Sequence, residues 1–250
     1  MTGKELFNII NSGQMPPRTP FVPTIYEHGA KVIDRTPSEV AQSEDLLVKS
    51  QLVSYEKYQH DLLSVGLDIY NVECEALGAQ INYYDNEELP SIEEALLESK
   101  DLAELEVPDP ETDGRMPLFL NATEMVNEEV GDEVSVNGTI VGPFTLAALL
   151  RGFEKFITDL VMNPDFALKL MDFAQKVSLT YAKAFIKRGV GVAINESWIS
   201  PPLLSPDLYR KYVFEREKDL ISQMKTEGAD TVALISGGDT TPIAPDLVKT

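Results

Sequence analysis

Cysteine is almost absent. Cys74 stands alone, which excludes an intramolecular disulfide framework and any CxxC metal or redox site. Cations are scarce: 21 Lys and Arg face 41 Asp and Glu, a formal charge of −20. Nucleic-acid phosphates and anionic membranes both select clustered cations, so neither is an expected partner. No apolar run approaches the roughly 18 residues that span a bilayer. The opening MTGKELFNIINSG lacks the apolar core and small-residue cleavage site of a secretory leader. A cytoplasmic location is therefore expected. Neither GxGxxG nor a Walker A pattern follows a predicted strand, so no phosphate-cradling loop is expected.

What is present suits a parallel sheet. Hydrophobic residues make up 43% of the chain, enough for a sizeable core. Val134 to Val141 is an apolar, β-branched run suited to a strand buried on both faces. Gly142-Pro143 breaks it, and Phe144 to Leu150 has helical composition. Strand, tight turn and immediate helix make half of a βαβ unit. The rest alternates likewise. Capping boxes at Thr2 and Thr36 start helices, the second reaching about Val65 with Gly66 behind it. Ser91 starts a short one by the same signal, and Asn121 to Val130 is helical. Phe153 to Val161 follows as a helix, as do a long stretch from Asn163 ending before Gly189 and one from Ser205 ending before Gly228, and Ala244 to Lys249 begins another. Strands are expected at Phe21–Tyr26, Leu67–Val72, Val134–Val141, Val190–Asn195 and Thr231–Ser236. Five strands alternating with helices give a parallel sheet under helical cover, as an open doubly wound sheet or part of a barrel.

Strand ends supply the candidate chemistry. They are Tyr26, Glu27 and His28; Glu73 and Glu75; Asn137 inside its strand; Asn195 and Glu196; Asp239 and Thr240. In a barrel such positions converge on one rim. Singly, each is more often a turn or cap residue than a catalyst; together they make a better case. Glu73, Glu75 and His28 could form a carboxylate-rich metal site. Trp198 could wall a flat ligand or serve the core. His60 reads as a surface residue of the long helix. Between Asp85 and Glu133 lie 17 acidic and 2 basic residues, a local charge of −15. That is a solvated surface or a face for a basic partner.

Four motifs carry a family resemblance, in the family's order and across nearly the whole chain. NGTIVGPFTLAALLRG resembles the G-x-P-F-T-L-A signature of the uroporphyrinogen decarboxylase superfamily. Glu73-Cys74-Glu75-Ala76-Leu77-Gly78 resembles the E-A-E-x-L-G run of its corrinoid methyltransferases, with Cys74 replacing an alanine. Asn195-Glu196-Ser197-Trp198 with Leu203-Leu204-Ser205-Pro206 resembles the strand-end acid followed by L-L-S-P. Ile235 to Pro242 resembles the H-x-C-G-[ND]-T-x-P turn of thiol-directed members. In those the His and Cys bind zinc. Here Ile235 and Gly237 hold the two positions, and neither ligates a metal, so zinc and thiol acceptors are in doubt.

The resemblance implies a (β/α)8 TIM barrel of the uroporphyrinogen decarboxylase type, as one domain over residues 1–250, ending after about the fifth strand. It implies a methyltransferase moving a methyl group between a small methylated substrate and a cobalamin-carrying corrinoid protein. Glu196 and Asp239 are then the expected proton-handling residues. Tyr26, His28, Glu73, Glu75, Asn137, Asn195 and Thr240 are the expected substrate-binding set. A homodimer is a further expectation. Two alternatives stay open: a uroporphyrinogen decarboxylase-like enzyme, or a non-catalytic member acting as a binding protein. The decarboxylase ranks lower. Its W-x-M-R-Q-A-G-R run, whose arginines grip carboxylates, corresponds to Thr24–Ala30, which has no arginine and one acid.

Overall fold

The computed structural model describes residues 1–98 and 100–250. Four parallel strands form the main sheet: β1 (Leu62–Val65), β4 (Ser135–Val141), β5 (Gly191–Asn195) and β6 (Val232–Ile235), side by side in chain order. A two-strand antiparallel pair, β2 (Ile81–Asn82) with β3 (Ser91–Ile92), lies apart. The main sheet never reverses its winding, so it has no switch point of the doubly wound kind. Helices α4 (Glu44–Tyr58), α6 (Met116–Val130), α9 (Pro164–Lys187) and α11 (Phe214–Thr226) form one row, each packed on the next and against the sheet.

Side chains alternate across β4. Gly138 faces α9 so closely that an added Cβ would sit 2.2 Å from the Phe185 ring. Asn137 and Thr139 therefore face away from the helices. The core lies between sheet and helix row, around Phe119, Phe144, Phe156, Tyr181 and Phe185. Helix α1 (Gly3–Asn11), held by the Thr2–Glu5 capping box, closes the N-terminal end of the strands: the Lys4 amide donates to the Glu133 carbonyl at 3.0 Å.

Several expectations are corrected. Phe21–Tyr26 joins no ladder; Pro20 and Pro23 lack the amides one needs. The helix expected from Thr36 to Val65 is two helices and a strand. The Thr36 box caps only α3 (Pro37–Ala41), and Ser43 caps α4. Helix α4 ends at Gln59 in a left-handed conformation (φ 52°), without a glycine to announce it. The strand expected at Leu67–Val72 thus lies upstream, as β1. Gly66 follows that strand and is not a helix cap. The Leu67–Val72 stretch is a turn entering α5 (Val72–Ala76). Ser91 opens β3, not a helix. Helix α6 begins before Asn121, at Met116, with Pro117 in its first turn. The helix expected from Ser205 breaks at Val213 into α10 (Pro206–Tyr212) and α11.

The central unit is as expected. Strand β4 passes through Gly142 into α7 (Pro143–Arg151), then α8 (Phe153–Met162). Helix α12 (Ala244–Leu247) follows the turn after β6. Among the described residues, no helix is long and apolar enough to cross a membrane.

Candidate active site

A cavity of about 550 Å³ opens at the C-terminal ends of β1, β5 and β6. Its lining includes Tyr26, Asp68, Tyr70, Asn195, Ser197 and Gly237. That end of a parallel sheet is where ligands bind in α/β folds.

Two expected residues meet there. The Tyr26 hydroxyl donates to Asn195 Oδ1 at 2.9 Å, and Asn195 Nδ2 donates to the Ile140 carbonyl at 3.3 Å. Both side chains are buried, and burial pushes the Tyr26 phenol well above its ordinary range. The irregular proline-rich segment carries Tyr26 to the C-terminal end of β5, which presents Asn195 at its last position.

Three lining groups were missed in the sequence. Tyr70 and Ser197 are hydrogen-bonded through their hydroxyls. Asp68, left-handed at φ 57°, sits in the turn after β1. Its Oδ2 accepts from the Arg115 guanidinium at 2.7 Å, and its other oxygen accepts from Asn71. Burial raises its carboxyl to about 6, with Arg115 pulling the other way. Arg115 also donates to Glu75 and to the Ala41 carbonyl, and stacks against Tyr83. Glu75 therefore anchors Arg115 from outside the cavity. With β1 in its true place, Asp68 is a strand-end acid like the others.

Glu73 and Glu196 are fully buried beside the β4–α7 turn. Glu73 Oε1 accepts the Val141 amide at 2.7 Å. Glu196 accepts the Phe144 amide at 2.8 Å, the Thr145 amide at 3.0 Å and the Thr145 hydroxyl at 2.7 Å. It thus caps the positive end of α7. Gly142 is required here: a Cβ would lie 2.1 Å from Glu196 Cγ. Burial raises each carboxyl to about 7. Behind them, Glu217 of α11 accepts the Tyr209 hydroxyl at 2.6 Å. Burial, then Glu196, pushes Glu217 up to about 8.

The other expected residues lie elsewhere. Asn137 is buried in β4 between Ser64 and Gly191 of the flanking strands, and neither amide atom has a partner among the described residues. Asp239 is exposed; it accepts the Thr241 amide at 3.0 Å, and its bonds to Thr241 hold its carboxyl below the ordinary value. Thr240 shares that turn, its carbonyl accepting the Ile243 amide at 3.0 Å. His28, which opens α2 (His28–Val32), bonds the Tyr58 hydroxyl at 2.8 Å beside a separate surface groove. The metal site considered for Glu73, Glu75 and His28 is not formed: each side chain is engaged with a different element, and the described residues contain no group of three potential ligands. Trp198 packs edge-on against Phe153 at 5.2 Å and does not line the cavity. His60 is buried, not a surface residue, because the chain leaves α4 just before it.

A family model for uroporphyrinogen decarboxylase (URO-D) matches residues 2–250. The chain belongs to the URO-D family. Among curated relatives of this URO-D chain is the methylcobamide:CoM methyltransferase MtbA of Methanosarcina mazei, 30% identical over 186 residues, covering 74% of this chain and 54% of the relative. The methylcobamide:CoM methyltransferase MtaA of Methanosarcina barkeri is 29% identical over 180 residues, covering 71% and 52%. A uroporphyrinogen decarboxylase of Trichlorobacter lovleyi is 27% identical over 173 residues, covering 66% and 49%. The chain thus spans about half the length of these relatives. A solved methyltransferase from Methanosarcina mazei superposes with a TM-score of 0.87 at 26% identity, covering 99% of this chain and 73% of that one.

Proposed function

We propose that this chain is the methyl-transferring part of a corrinoid-dependent methyltransferase, and that its sheet is an arc of a (β/α)8 barrel. The observation that carries this reading is the strand-end cavity with Tyr26, Asn195 and Asp68 on its wall, in a URO-D chain whose relatives include methylcobamide:CoM methyltransferases. Chain-order parallel strands with one row of helices support the barrel.

The cavity suits a small molecule. A corrinoid carried by a partner protein would supply or accept the methyl group. The chain's residues position and manage charge. Tyr26 and Asn195, locked together, orient the substrate heteroatom for in-line displacement. Asp68 holds or releases the heteroatom's proton, its carboxyl lifted to about 6, closer to neutral pH. Arg115 and Glu75 fix its position. Glu196 and Glu73 hold the β4–α7 turn and so fix α7, whose Leu149 is on the wall. Asp239, Thr240 and His28 lie off the cavity wall, at positions suited to contacts with the partner. Zinc does not fit: Ile235 and Gly237 offer no ligating side-chain atom at the two positions that would hold it.

A decarboxylase acting on a polycarboxylate is disfavoured, because the described residues of the cavity wall include acids and no arginine. The test mixes the chain with cob(I)alamin and a panel of methylated ethers, amines and thioethers, following loss of the cob(I) absorbance. Methylation by one class supports the reading; release of carbon dioxide from uroporphyrinogen would replace it.

A further inference from the structure

The charge of the cavity wall has a direction. None of the described residues lining it is Lys, Arg or His. Two carboxylates, Glu27 and Asp68, and two aromatic rings, Tyr26 and Tyr70, are on the wall. Arg115 stands behind Asp68, but it is shared with Glu75. Glu27, Asp68 and Glu75 against one guanidinium leave the surroundings negative. Glu27 is exposed at the mouth, where it also borders the neighbouring groove. The whole chain, at −20, adds to that field.

An acid-rimmed pocket with tyrosine walls, whose one nearby guanidinium is already shared by Asp68 and Glu75, repels sulfonates and carboxylates. It attracts an organic cation, which gains from both the carboxylates and the ring faces. Building on the methyl-transfer reading, we propose that the small substrate is a methylated ammonium compound, with Glu27 and Asp68 holding its charge and Tyr26 and Tyr70 its methyl groups. The reaction balances without an acid or base if the nitrogen is quaternary. The cobalt(I) electron pair forms the new bond to carbon, the C–N pair stays on nitrogen, and a neutral tertiary amine leaves. If the nitrogen is a tertiary amine, it must carry its proton during transfer so that a neutral secondary amine leaves, and Asp68 has the task of keeping that proton on nitrogen.

Calorimetry of the full chain with choline, its neutral isostere 3,3-dimethylbutan-1-ol and 2-mercaptoethanesulfonate tests this. Choline should bind at least about tenfold more tightly than either, in line with aromatic cages for quaternary ammonium. Glu27→Gln, an exposed change that leaves the fold intact, should remove about threefold or more of that preference. Asp68→Asn should remove more. Equal binding of choline and its isostere, tighter binding of the sulfonate, or no choline binding overturns the substrate class. Methyl transfer involving a neutral or anionic compound, with no choline binding, sinks the class and leaves the methyltransferase reading standing. Selective choline binding with no transfer from any compound sinks that reading and keeps the cation site.

Discussion

Glu73 and Glu196 hold one turn between them. Glu73 takes the amide of Val141 at the end of β4, and Glu196 takes the amides of Phe144 and Thr145 at the start of α7. They come from segments more than a hundred residues apart, so the turn is a meeting point of the fold. The G-P-F-T signature is the sequence trace of that arrangement: glycine for Glu196's approach, proline for the first helical turn, threonine for a third bond.

Removing the Glu196 carboxylate should therefore cost stability. Glu196→Ala leaves buried amides unsatisfied and should lower unfolding free energy by about 2–4 kcal/mol, with Glu196→Gln costing roughly half as much. Urea denaturation monitored by circular dichroism checks both. An unchanged midpoint for the alanine variant would contradict the capping role.

Gly142→Ala should be at least as damaging. Its methyl would sit 2.1 Å from Glu196 Cγ, so either the turn or the buried carboxylate must move. A loss of about 3 kcal/mol or more is expected. Pairing it with Glu196→Ala should restore part of the loss, since the clashing side chain is gone. Additive losses would mean the two residues do not press on each other.

The pH dependence has a definite sign. Glu73 and Glu196 at about 7, Glu217 at about 8 and Asp68 at about 6 are all raised on folding. A raised carboxyl contributes stability that is complete below its unfolded value, 4.5 for the glutamates and 3.8 for Asp68, and is lost as pH rises through its folded value. The melting temperature should thus fall between about pH 5 and pH 8. Glu217→Gln should flatten the upper part of that fall. Carboxylates held low by partners, Asp61 with Arg18 first among them, act oppositely and erode stability in strong acid. A melting temperature that climbs steadily from pH 5 to pH 8 would contradict the burial of these groups.

Tyr26→Phe removes the bond to Asn195 Oδ1 and should cost about 1–2 kcal/mol of stability. On the proposed function it should also raise KM more than it lowers kcat, whereas Asp68→Asn should lower kcat. Steady-state methyl transfer separates the two effects.

The sequence was most legible where local chemistry and tertiary structure agree. The β4–turn–α7 unit, the Thr2 cap and the start of α9 at Asn163-Pro164 were readable because strand composition, proline and capping residues carry their own signals. It was least legible around residues 59–76. There a non-glycine residue ends α4 in a left-handed conformation, and β1 is only four residues long. That displacement hid Asp68 as a strand-end acid. It also made His60 look solvent-facing. Glu196 was legible as a buried strand-end carboxylate, but its bonds to Phe144 and Thr145 span about fifty residues, and no local pattern encodes them. Asn195 could be placed at the strand's end, while its partner Tyr26 lies on a segment with no regular structure.

The most direct test of the site is the rate at which cob(I)alamin is methylated by a methylated ammonium compound in the presence of the chain, compared with its Asp68→Asn and Asn195→Ala variants. Turnover by the parent chain, a loss of at least about tenfold in each variant and retained folding by circular dichroism are expected. Turnover unchanged in both variants would contradict the site assignment.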